Sequence, residues 1–517
     1  MALARYFSKD LLALNKLLNT DSSIFEEVIN SKTVTLAFDE NAVHTFEGNC
    51  GLDLTIRLLA RFYPKLKVYD LSGTNSEKQG ELIKLAKMIS GNIEIVPDAE
   101  TEDILIIAGL TSIEFKTKSP KFYFGSENWI AKYSVSEPKS FGKSTNPFGS
   151  GIAACLLVSN IFRTVFGDYI EYKEKDMEVE LSTYSLIYGS NQNPPLKDIM
   201  FKDLTIAGIG AVGNGVIWAL SQFETISGEI ALIDSETISR TNLQRYVLFK
   251  EEDEDQDKVL VAKAFFKQPH VNVSPCKGEW KDYIKERGNW DVDCVAVGID
   301  SANDRIGIQS SLPRVIFNAF TEDGLIGISR HLDFVNKPCL ACSYIPTSKK
   351  KSRTIEIAEE CGVPDKIDMV KDYYNYNASV NEVIPNYTVS LLQEIANRKG
   401  IPLEKLGQYN GNKLDEFYSD FICGGTVLML SNTENDIKEV DAPLAFQSAM
   451  AGILLAAELV KYHMNNDLKQ EDRTDIYHLS PVSEINPYHR KLVKDETGRC
   501  LCIDNDFVGR YKEKWST

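Results

Sequence analysis

A glycine-rich stretch, Gly208-Ile-Gly210-Ala-Val-Gly213, constrains the fold of this chain more than any other feature. The strand-like run Leu204-Thr-Ile-Ala207 leads into it, and the helix-like run Val216-Ile-Trp-Ala-Leu220 follows it. Glycines at this spacing let the main chain approach a phosphate, and the start of the helix directs unpaired N–H groups at the anion. The stretch therefore predicts a nucleotide-binding turn in an α/β sheet. Taken alone, it fits NAD, FAD, S-adenosylmethionine and ATP equally.

The composition narrows the class of protein. The chain has 517 residues, and its 43% hydrophobic and 25% charged content is that of an ordinary globular protein with room for about two to four domains. Its net charge of −17 argues against a general surface for nucleic acid or anionic lipid, so we expect neither a nucleic acid nor a membrane as a partner. The sequence has no long apolar run and no leader pattern at its start, and we therefore expect a cytoplasmic protein.

Ten cysteines are present, and several, such as Cys294, lie inside apolar runs where a buried free thiol is expected. Two close pairs differ from these: Cys339-Leu-Ala-Cys342 and Cys500-Leu-Cys502. In a cytoplasmic chain, such spacing indicates metal or redox chemistry before it indicates disulfides.

The alternation of strands and helices predicts α/β layers with mostly parallel sheets, arranged as an imperfect internal duplication. In the first half, the strand-like run Thr33-Val-Thr-Leu-Ala-Phe38 precedes its own pair of glycines. At offsets of 162 to 164 residues, the spacing aligns three pairs: Gly48 with Gly210, Gly51 with Gly213, and Asp70 with Asp234.

The first copy differs from the second where a phosphate would bind. The spacing puts Phe46 where the second copy has Gly208, and it puts Glu81 where the second copy has Arg245. A phenylalanine side chain would block the approach to phosphate, and a glutamate would repel it. We therefore expect a non-catalytic first copy and a catalytic second copy. Two unrelated Rossmann-like halves would share much of this pattern, and that alternative stays open.

Polar and charged residues follow the second glycine turn in a fixed order: Asp234, Asn242, Arg245, Lys258 and Asp300. Asp234 ends a predicted strand, where a carboxylate suits a ribose. Two cations suit a site that cleaves a triphosphate more than they suit hydride transfer. Asp300 follows a buried strand, at the sheet edge where ligands bind, and its carboxylate can hold Mg²⁺.

This ordered set resembles the adenylation domain shared by ubiquitin-activating enzymes, ThiF and the molybdopterin-synthase adenylyltransferase. The resemblance is strong over residues 200–345 and 442–465 and weak over the first copy. It implies an α/β fold in which two Rossmann-like ThiF-type adenylation domains form an internal pseudo-dimer, with an inserted catalytic-cysteine segment. The implied domains are an inactive adenylation domain at 1–195, the first part of the active domain at 196–345, the inserted segment at 346–441, the last helix of the active domain at 442–480, and a tail at 481–517.

The resemblance also implies a reaction. The C-terminal glycine carboxylate of a ubiquitin-like protein attacks the α-phosphate of ATP, an acyl-adenylate forms, and pyrophosphate leaves. The implied site residues are Gly208, Gly210 and Gly213 in the nucleotide turn, Asp234 on the ribose, Asn242, Arg245 and Lys258 on the phosphates, and Asp300 on Mg²⁺. In the family a further arginine comes from the partner domain's N-terminal helix, and Arg5 is the nearby candidate.

Members of the family that activate ubiquitin pass the acyl group to a cysteine and then to a conjugating enzyme. Cys423, in Ile-Cys423-Gly-Gly-Thr-Val, resembles the family's Cys-x-x-Gly-Gly-Val-Leu stretch. Cys361 is the alternative, although the two glutamates before it would raise its pKa. A site without a catalytic cysteine is the third possibility.

The family often carries a structural zinc ion on two cysteine pairs. The resemblance implies Zn²⁺ on Cys339, Cys342, Cys500 and Cys502, although the second pair departs from the usual Cys-x-x-Cys spacing. Three other functions are weighed against protein activation: adenylation of a sulfur-carrier protein without a thioester, NAD-dependent oxidation, and a non-catalytic scaffold.

Overall fold

The computed structural model describes residues 27–97, 102–113, 115, 117–168, 175–189, 193–322, 324–345, 358–359, 361–367, 370, 385–399, 444–464, 476–481, 487–495 and 498–515. The chain divides into two compact units. The described residues of the first unit are those up to residue 345 and those from residue 444 onward, and those of the second lie between 358 and 399.

The first unit contains two sheets, and the first sheet has seven strands in the order β3-β2-β1-β4-β5-β6-β7. Strands β1 to β5 pair in parallel, and β6 and β7 complete the sheet in antiparallel fashion. Strands β1, β4 and β5 are almost wholly buried, as expected for a sheet covered on both faces. The strands are β1 Thr33–Phe38, β2 Lys65–Asp70, β3 Glu94–Ile95, β4 Ile104–Ala108, β5 Lys121–Glu127, β6 Ile130–Ser134 and β7 Glu178–Ser182.

Four helices accompany the first sheet: α1 Glu40–Val43, α2 Phe46–Phe62, α3 Ser76–Ile89 and α4 Pro147–Val165. The helix α4 begins at the N-cap Asn146, whose side chain accepts from Phe148 N–H, with Pro147 in the first turn. Among the described residues, α4 is long and apolar enough for a membrane span by length and composition, but 89% of its apolar window is buried inside the protein. Such burial is that of a core helix.

The second sheet has eight strands in the order β10-β9-β8-β11-β12-β13-β14-β15. Strands β8 to β12 pair in parallel, and β13, β14 and β15 follow in antiparallel fashion. The strands are β8 Ile199–Ala207, β9 Ile226–Asp234, β10 Val271–Lys277, β11 Cys294–Val297, β12 Val315–Glu322, β13 Leu325–His331, β14 Ile476–Leu479 and β15 Tyr488–Arg490. Its helices are α5 Ala211–Ser221, α6 Lys258–Lys263, α7 Trp280–Arg287, α8 Ala302–Ser310, α10 Ala445–Met464 and α11 Asn505–Trp515, while α9 Pro385–Lys399 belongs to the second unit.

The two sheets share the order of their first seven strands, with the third, second, first and fourth strands side by side in each. In both, the chain leaves the central first strand and enters a helix, which is the Rossmann-like arrangement. The prediction of an α/β protein with two Rossmann-like sheets is therefore confirmed. The domain boundaries stay a prediction.

The helix α10 returns to the second sheet from far along the chain and packs against α5. Glycines allow the two backbones to touch: a Cβ added to Gly452 would lie 2.2 Å from the Val212 carbonyl oxygen, and one added to Gly215 would lie 2.8 Å from the Ala449 carbonyl oxygen. This contact fixes the helix that starts at the glycine turn.

The second unit is held by charged pairs on α9 in its described part. Arg398 donates to both carboxylate oxygens of Asp365 and to Glu394, and Lys366 lies 3.1 Å from the Glu394 carboxylate. The predicted nucleophile Cys423 lies outside the described residues.

Candidate functional site

The glycine turn connects β8 to α5 with a backbone that other residues could not adopt. Gly208 has a φ of +91°, and a Cβ there would lie 2.9 Å from the Gly298 carbonyl oxygen. A Cβ on Gly213 would lie 2.1 Å from the Gly208 carbonyl oxygen. Gly210 is the N-cap of α5 and offers no side chain to the first-turn N–H groups. These groups therefore remain available to an anion.

Asp234 lies at the end of β9, beside this turn. One oxygen of its carboxylate accepts from Ile209 N–H at 2.8 Å, and the other accepts from Glu236 N–H at 2.9 Å. Burial raises the pKa of Asp234, although Lys258 opposes this shift. The Asp234 carboxylate thus holds the glycine turn. Its contact with a ribose stays a prediction.

Lys258, the first residue of α6, directs a buried ammonium group at the same place. Its side chain is 1% exposed, and its Nζ donates to the Glu236 carboxylate, lies 3.3 Å from the Tyr246 hydroxyl and lies 4.0 Å from Asp234. Burial favours the neutral amine, but the Tyr246 hydroxyl and the two carboxylates outweigh it and raise the pKa of Lys258 above 10.5. Lys258 is therefore cationic at neutral pH.

Tyr246 lies near both predicted cations, and no sequence pattern predicted its place in the site. The Arg245 guanidinium carbon lies 5.5 Å from the centre of the Tyr246 ring, and Lys258 Nζ lies 5.0 Å from it. The hydroxyl also lies 3.6 Å from where a Gly210 Cβ would stand. Tyr246 thus lies between the glycine turn and both cations.

Arg245 has a buried guanidinium nitrogen. Its Nη1 is buried and has no hydrogen-bond partner within the described part of the chain. A buried donor left unpaired is costly, and such donors in native proteins call for an explanation. Asn242, three residues earlier, orients the segment, because its Oδ1 accepts from Ser239 N–H at 3.0 Å and its carbonyl accepts from Arg245 N–H at 3.1 Å.

Asp300 lies just beyond the carboxyl end of β11 and is exposed. Gly298, two residues before it, donates its N–H to the Ala207 carbonyl, so the chain runs beside the glycine turn at this point. The next residue, Ser301, caps α8 and accepts from Asp304 N–H at 3.2 Å. The Asp300 carboxylate is thus free to take a cation at the edge of the site.

The first half begins its helix α2 differently, and the predicted alignment of its glycines is wrong. Gly48 is the third residue of α2, and a Cβ there would lie 2.1 Å from the Ala42 carbonyl oxygen. Gly213 holds the same place in α5, so Gly48 corresponds to Gly213 and not to Gly210. The cause is an insertion: residues 39–45, which include α1, stand where the second half has only residues 208–210.

That the first half is non-catalytic stays a prediction, and in its described residues the features that disfavour a phosphate are not Phe46 and Glu81. Phe46 is the first residue of α2, and Glu81 lies on α3 in a pair with Lys78. The N-cap Thr45 accepts from Gly48 N–H at 3.1 Å, which occupies a donor that α5 leaves open. The fully buried Glu47 adds a carboxylate to the first turn, where it accepts from the backbone N–H groups of residues 128 and 144. A phosphate would meet fewer donors and a negative charge.

The fold brings the four predicted zinc ligands together. The sulfur atoms of Cys339, Cys342, Cys500 and Cys502 all lie within 4.8 Å of one another. Five of their separations are 3.3, 3.4, 3.5, 3.7 and 4.0 Å. Sulfurs at the corners of a tetrahedron with Zn–S bonds of about 2.3 Å would lie about 3.8 Å apart. The donor set and its spacing therefore fit a zinc ion, which the cysteines of residues 339–342 and 500–502 would hold.

The other described cysteines are buried. Cys50, Cys155, Cys276 and Cys294 have pKa values raised by burial, and Cys361 in the second unit is also buried. Such thiols are poor nucleophiles. Neither the choice between Cys361 and Cys423 nor the role of Arg5 is tested, because Cys423 and Arg5 lie outside the described residues.

Two protein families match this chain. Residues 185–491 match the ThiF family, which is more than half of the chain and includes every described nucleotide-site residue. Residues 37–167 match the family described as Prokaryotic E2 family C. This second match falls on the first sheet, whose strand order repeats that of the second.

Individual relatives were also found. The protein described as uncharacterized protein y4jF of Sinorhizobium fredii is 35% identical over 519 residues, which covers 100% of this chain and 98% of the relative. The NEDD8-activating enzyme E1 catalytic subunit of Schizosaccharomyces pombe is 31% identical over 133 residues, which covers 25% of this chain and 29% of that protein. A crystal structure of Escherichia coli MccB with MccA-N7isoASN has 16% identity and a TM-score of 0.35, over 59% of this chain and 67% of MccB, and a likeness this weak carries no weight.

The family match coincides with the site that the residues build. A glycine turn with open N–H groups, a buried lysine and an unpaired arginine nitrogen converge within residues 208–258. The chain therefore belongs to the ThiF family, and it is an adenylyltransferase built on two Rossmann-like sheets.

Proposed function

We propose that this adenylyltransferase activates the C-terminal glycine of a ubiquitin-like protein in the cytoplasm. A carboxylate oxygen of that glycine forms a bond to the α-phosphorus of ATP, and the bond from the α-phosphorus to the bridging oxygen breaks. The acyl-adenylate stays on the enzyme, and pyrophosphate leaves with the electron pair of the broken bond. Family membership and the relative of the NEDD8 pathway support this substrate class.

The unpaired Nη1 of Arg245 is the observation that carries the proposal. A guanidinium nitrogen buried beside Tyr246 and Lys258 gains a partner when phosphate arrives, and its charge opposes the charge that spreads over the triphosphate. The first-turn N–H groups of α5 bind the phosphates as an anion site. Asp234 binds the ribose, and Asp300 supplies oxygen to Mg²⁺.

We further propose that the acyl group passes to Cys423. Its thiolate sulfur would attack the acyl carbon, a thioester would form, and AMP would leave. The burial of every described cysteine outside the zinc set supports a nucleophile elsewhere, and Cys423 is the one of the ten cysteines that lies outside the described residues. The buried Cys361 is the weaker candidate.

A separate conjugating enzyme would receive the acyl group. The part of this chain that matches Prokaryotic E2 family C contains Cys50 and Cys155, and both thiols are buried, with pKa values raised by that burial. Neither thiol is suited to carry an acyl group. The carrier is therefore proposed to be another protein.

The test of adenylation is ATP–pyrophosphate exchange by the purified chain with a panel of ubiquitin-fold proteins that end in glycine. At least one should stimulate exchange, and Asp300→Ala should abolish it. Asp198→Ala is the matched control, because Asp198 is also exposed but precedes β8 at the opposite edge of the sheet. If no ubiquitin-fold protein stimulates exchange, the proposed substrate class is wrong.

The test of the thioester uses the same mixture on a non-reducing gel. A reductant-sensitive adduct should form with the wild-type chain and with Cys361→Ala, and it should be absent with Cys423→Ala. An adduct that survives Cys423→Ala but is lost with Cys361→Ala would reverse the assignment. Exchange without any adduct would instead support adenylation of a sulfur-carrier protein.

A further inference from the structure

One face of α2, in the first half of the chain, carries three charged residues at intervals of four: Asp53, Arg57 and Arg61. Residues four apart in a helix lie one above the other, so the three side chains form a row. Arg57 is 8% exposed and Arg61 is 2% exposed. Buried guanidinium groups need several acceptors, and these two find four of theirs in the second half of the chain.

Arg61 and Arg57 hold the segment that directly follows Arg245. Arg61 Nη2 donates to the Tyr246 carbonyl at 2.6 Å and to the Phe249 carbonyl at 2.8 Å. Arg57 Nη1 donates to the carbonyls of residues 247 and 248 at 3.1 and 3.3 Å. Four consecutive carbonyls of an irregular segment are thus bound by two side chains from the other half.

The same row holds the helix that starts at the glycine turn. Asp53 Oδ2 accepts from Arg57 Nε and from Trp218 Nε1, each at 2.8 Å, and Trp218 lies on α5. On the same face of α5, one turn before Trp218, Asn214 Oδ1 accepts from Leu248 N–H at 3.1 Å. Asp53, Arg57 and Arg61 of α2 therefore hold residues 246–249 and α5 against each other. The segment 246–249 contains Tyr246, and α5 contains the open N–H groups.

We infer that Arg57 and Arg61 are positioning residues of the adenylation site. They hold the backbone after Arg245 so that the Tyr246 hydroxyl lies beside the glycine turn and the Arg245 guanidinium lies near the Tyr246 ring. The first half thereby contributes to the site without touching the nucleotide itself. The inference rests on the adenylation site and not on the proposed ubiquitin-like substrate.

The test compares Arg61→Lys and Arg57→Lys with Arg163→Lys. Lysine keeps the charge but has one nitrogen at its tip, which cannot reproduce the fork of a guanidinium across two carbonyls. Arg163 is a fully buried arginine on α4 of the same half, and it bonds to Asp176 and Asn160 instead of the site. It therefore controls for the loss of a buried arginine.

Binding of Mg·ATP and of adenosine to the whole chain would be measured by calorimetry, together with the Tm. Arg61→Lys should weaken ATP binding at least about tenfold and leave adenosine binding within about twofold, because the row aligns phosphate ligands. Its Tm should fall no further than that of Arg163→Lys.

Equal losses for ATP and adenosine in Arg61→Lys and Arg57→Lys would overturn the inference, as would ATP losses no larger than in Arg163→Lys. A wild-type chain that binds no ATP would overturn the adenylation site and the inference with it. ATP binding without stimulation by ubiquitin-fold proteins would count against the proposed substrate alone.

Discussion

Lys258 is a buried ammonium whose partner at rest is a surface carboxylate. Its own side chain is 1% exposed, whereas that of Glu236 is 69% exposed. A triphosphate presents more negative charge than a carboxylate and would compete with Glu236 for the ammonium. We therefore propose that Glu236 stabilises the charged form of Lys258 and that a bound nucleotide would replace it as the partner of the ammonium group.

Replacing Lys258 by methionine keeps the length of the side chain and removes the charge. We expect kcat/KM for ATP in pyrophosphate exchange to fall about a hundredfold or more, since a charged ligand of the transition state is lost. Lys281→Met is the control, because Lys281 also pairs with a glutamate but its side chain is 76% exposed. A loss shared equally by both variants would exclude a specific role for Lys258.

At the scale of the element, α2 and α5 differ in how the N–H groups of their first turns are capped. Thr45 caps α2 with its own side chain, and Gly210 leaves α5 uncapped. A glycine at the N-cap is less favourable than a residue whose side chain caps the helix, by about a few tenths of a kcal/mol. The second half tolerates this cost where a phosphate would act as the cap.

Substitutions at two glycines separate binding from folding. Gly210→Ala places a Cβ 3.6 Å from the Tyr246 hydroxyl, an ordinary contact, so the Tm should hold while ATP affinity falls about tenfold or more. Gly213→Ala places a Cβ 2.1 Å from a carbonyl oxygen and should destabilise the fold by on the order of 3 kcal/mol.

The control is Gly80→Ala in the middle of the exposed helix α3, where a Cβ has no neighbour within 4 Å. It should raise stability by about 0.5–1 kcal/mol, as alanine does in a helix. Calorimetry and thermal unfolding measure both quantities. If Gly210→Ala bound ATP as tightly as Gly80→Ala, the open helix start would not be part of the site.

At the scale of the whole molecule, the cysteine set joins residues 161 positions apart. Cys339 and Cys342 follow β13, and Cys500 and Cys502 precede α11. The surrounding cluster includes Phe334 and Tyr511, whose rings stack at 5.0 Å. A metal ion here would fasten α11 to the sheet.

We expect purified protein to contain one zinc ion per chain, as measured by mass spectrometry of the metal. Cys339→Ser should lose the zinc and lower the Tm by on the order of 10 °C, because structural zinc contributes several kcal/mol to folding. Cys276→Ser, at a buried thiol outside the set, should keep the zinc. Metal-free protein with all four thiols reactive and an unchanged Tm would contradict the assignment.

The sequence predicted the parts of the site that local pattern controls. The glycine turn and the end of β9 at Asp234 follow from periodicity and spacing, and the meeting of four cysteines followed from the family resemblance. The alignment of Gly48 failed because an insertion before a helix leaves no mark on spacing. The arginines of α2 were missed because they act through contacts across 185 or more residues, as between Arg61 and the Tyr246 carbonyl. Tyr246 was missed because its contacts with Gly210 and Lys258 depend on the fold and follow no sequence pattern.

The placement of α10, β14 and β15 has a consequence for synthesis on the ribosome. The strands of the first sheet end at residue 182 and can pair soon after they emerge, whereas the second sheet needs strands up to residue 490. The helix that supports α5 starts only at residue 445. A chain whose synthesis stops before residue 445 would lack α10, which packs against the helix that starts at the glycine turn, so we expect an interrupted product not to bind ATP.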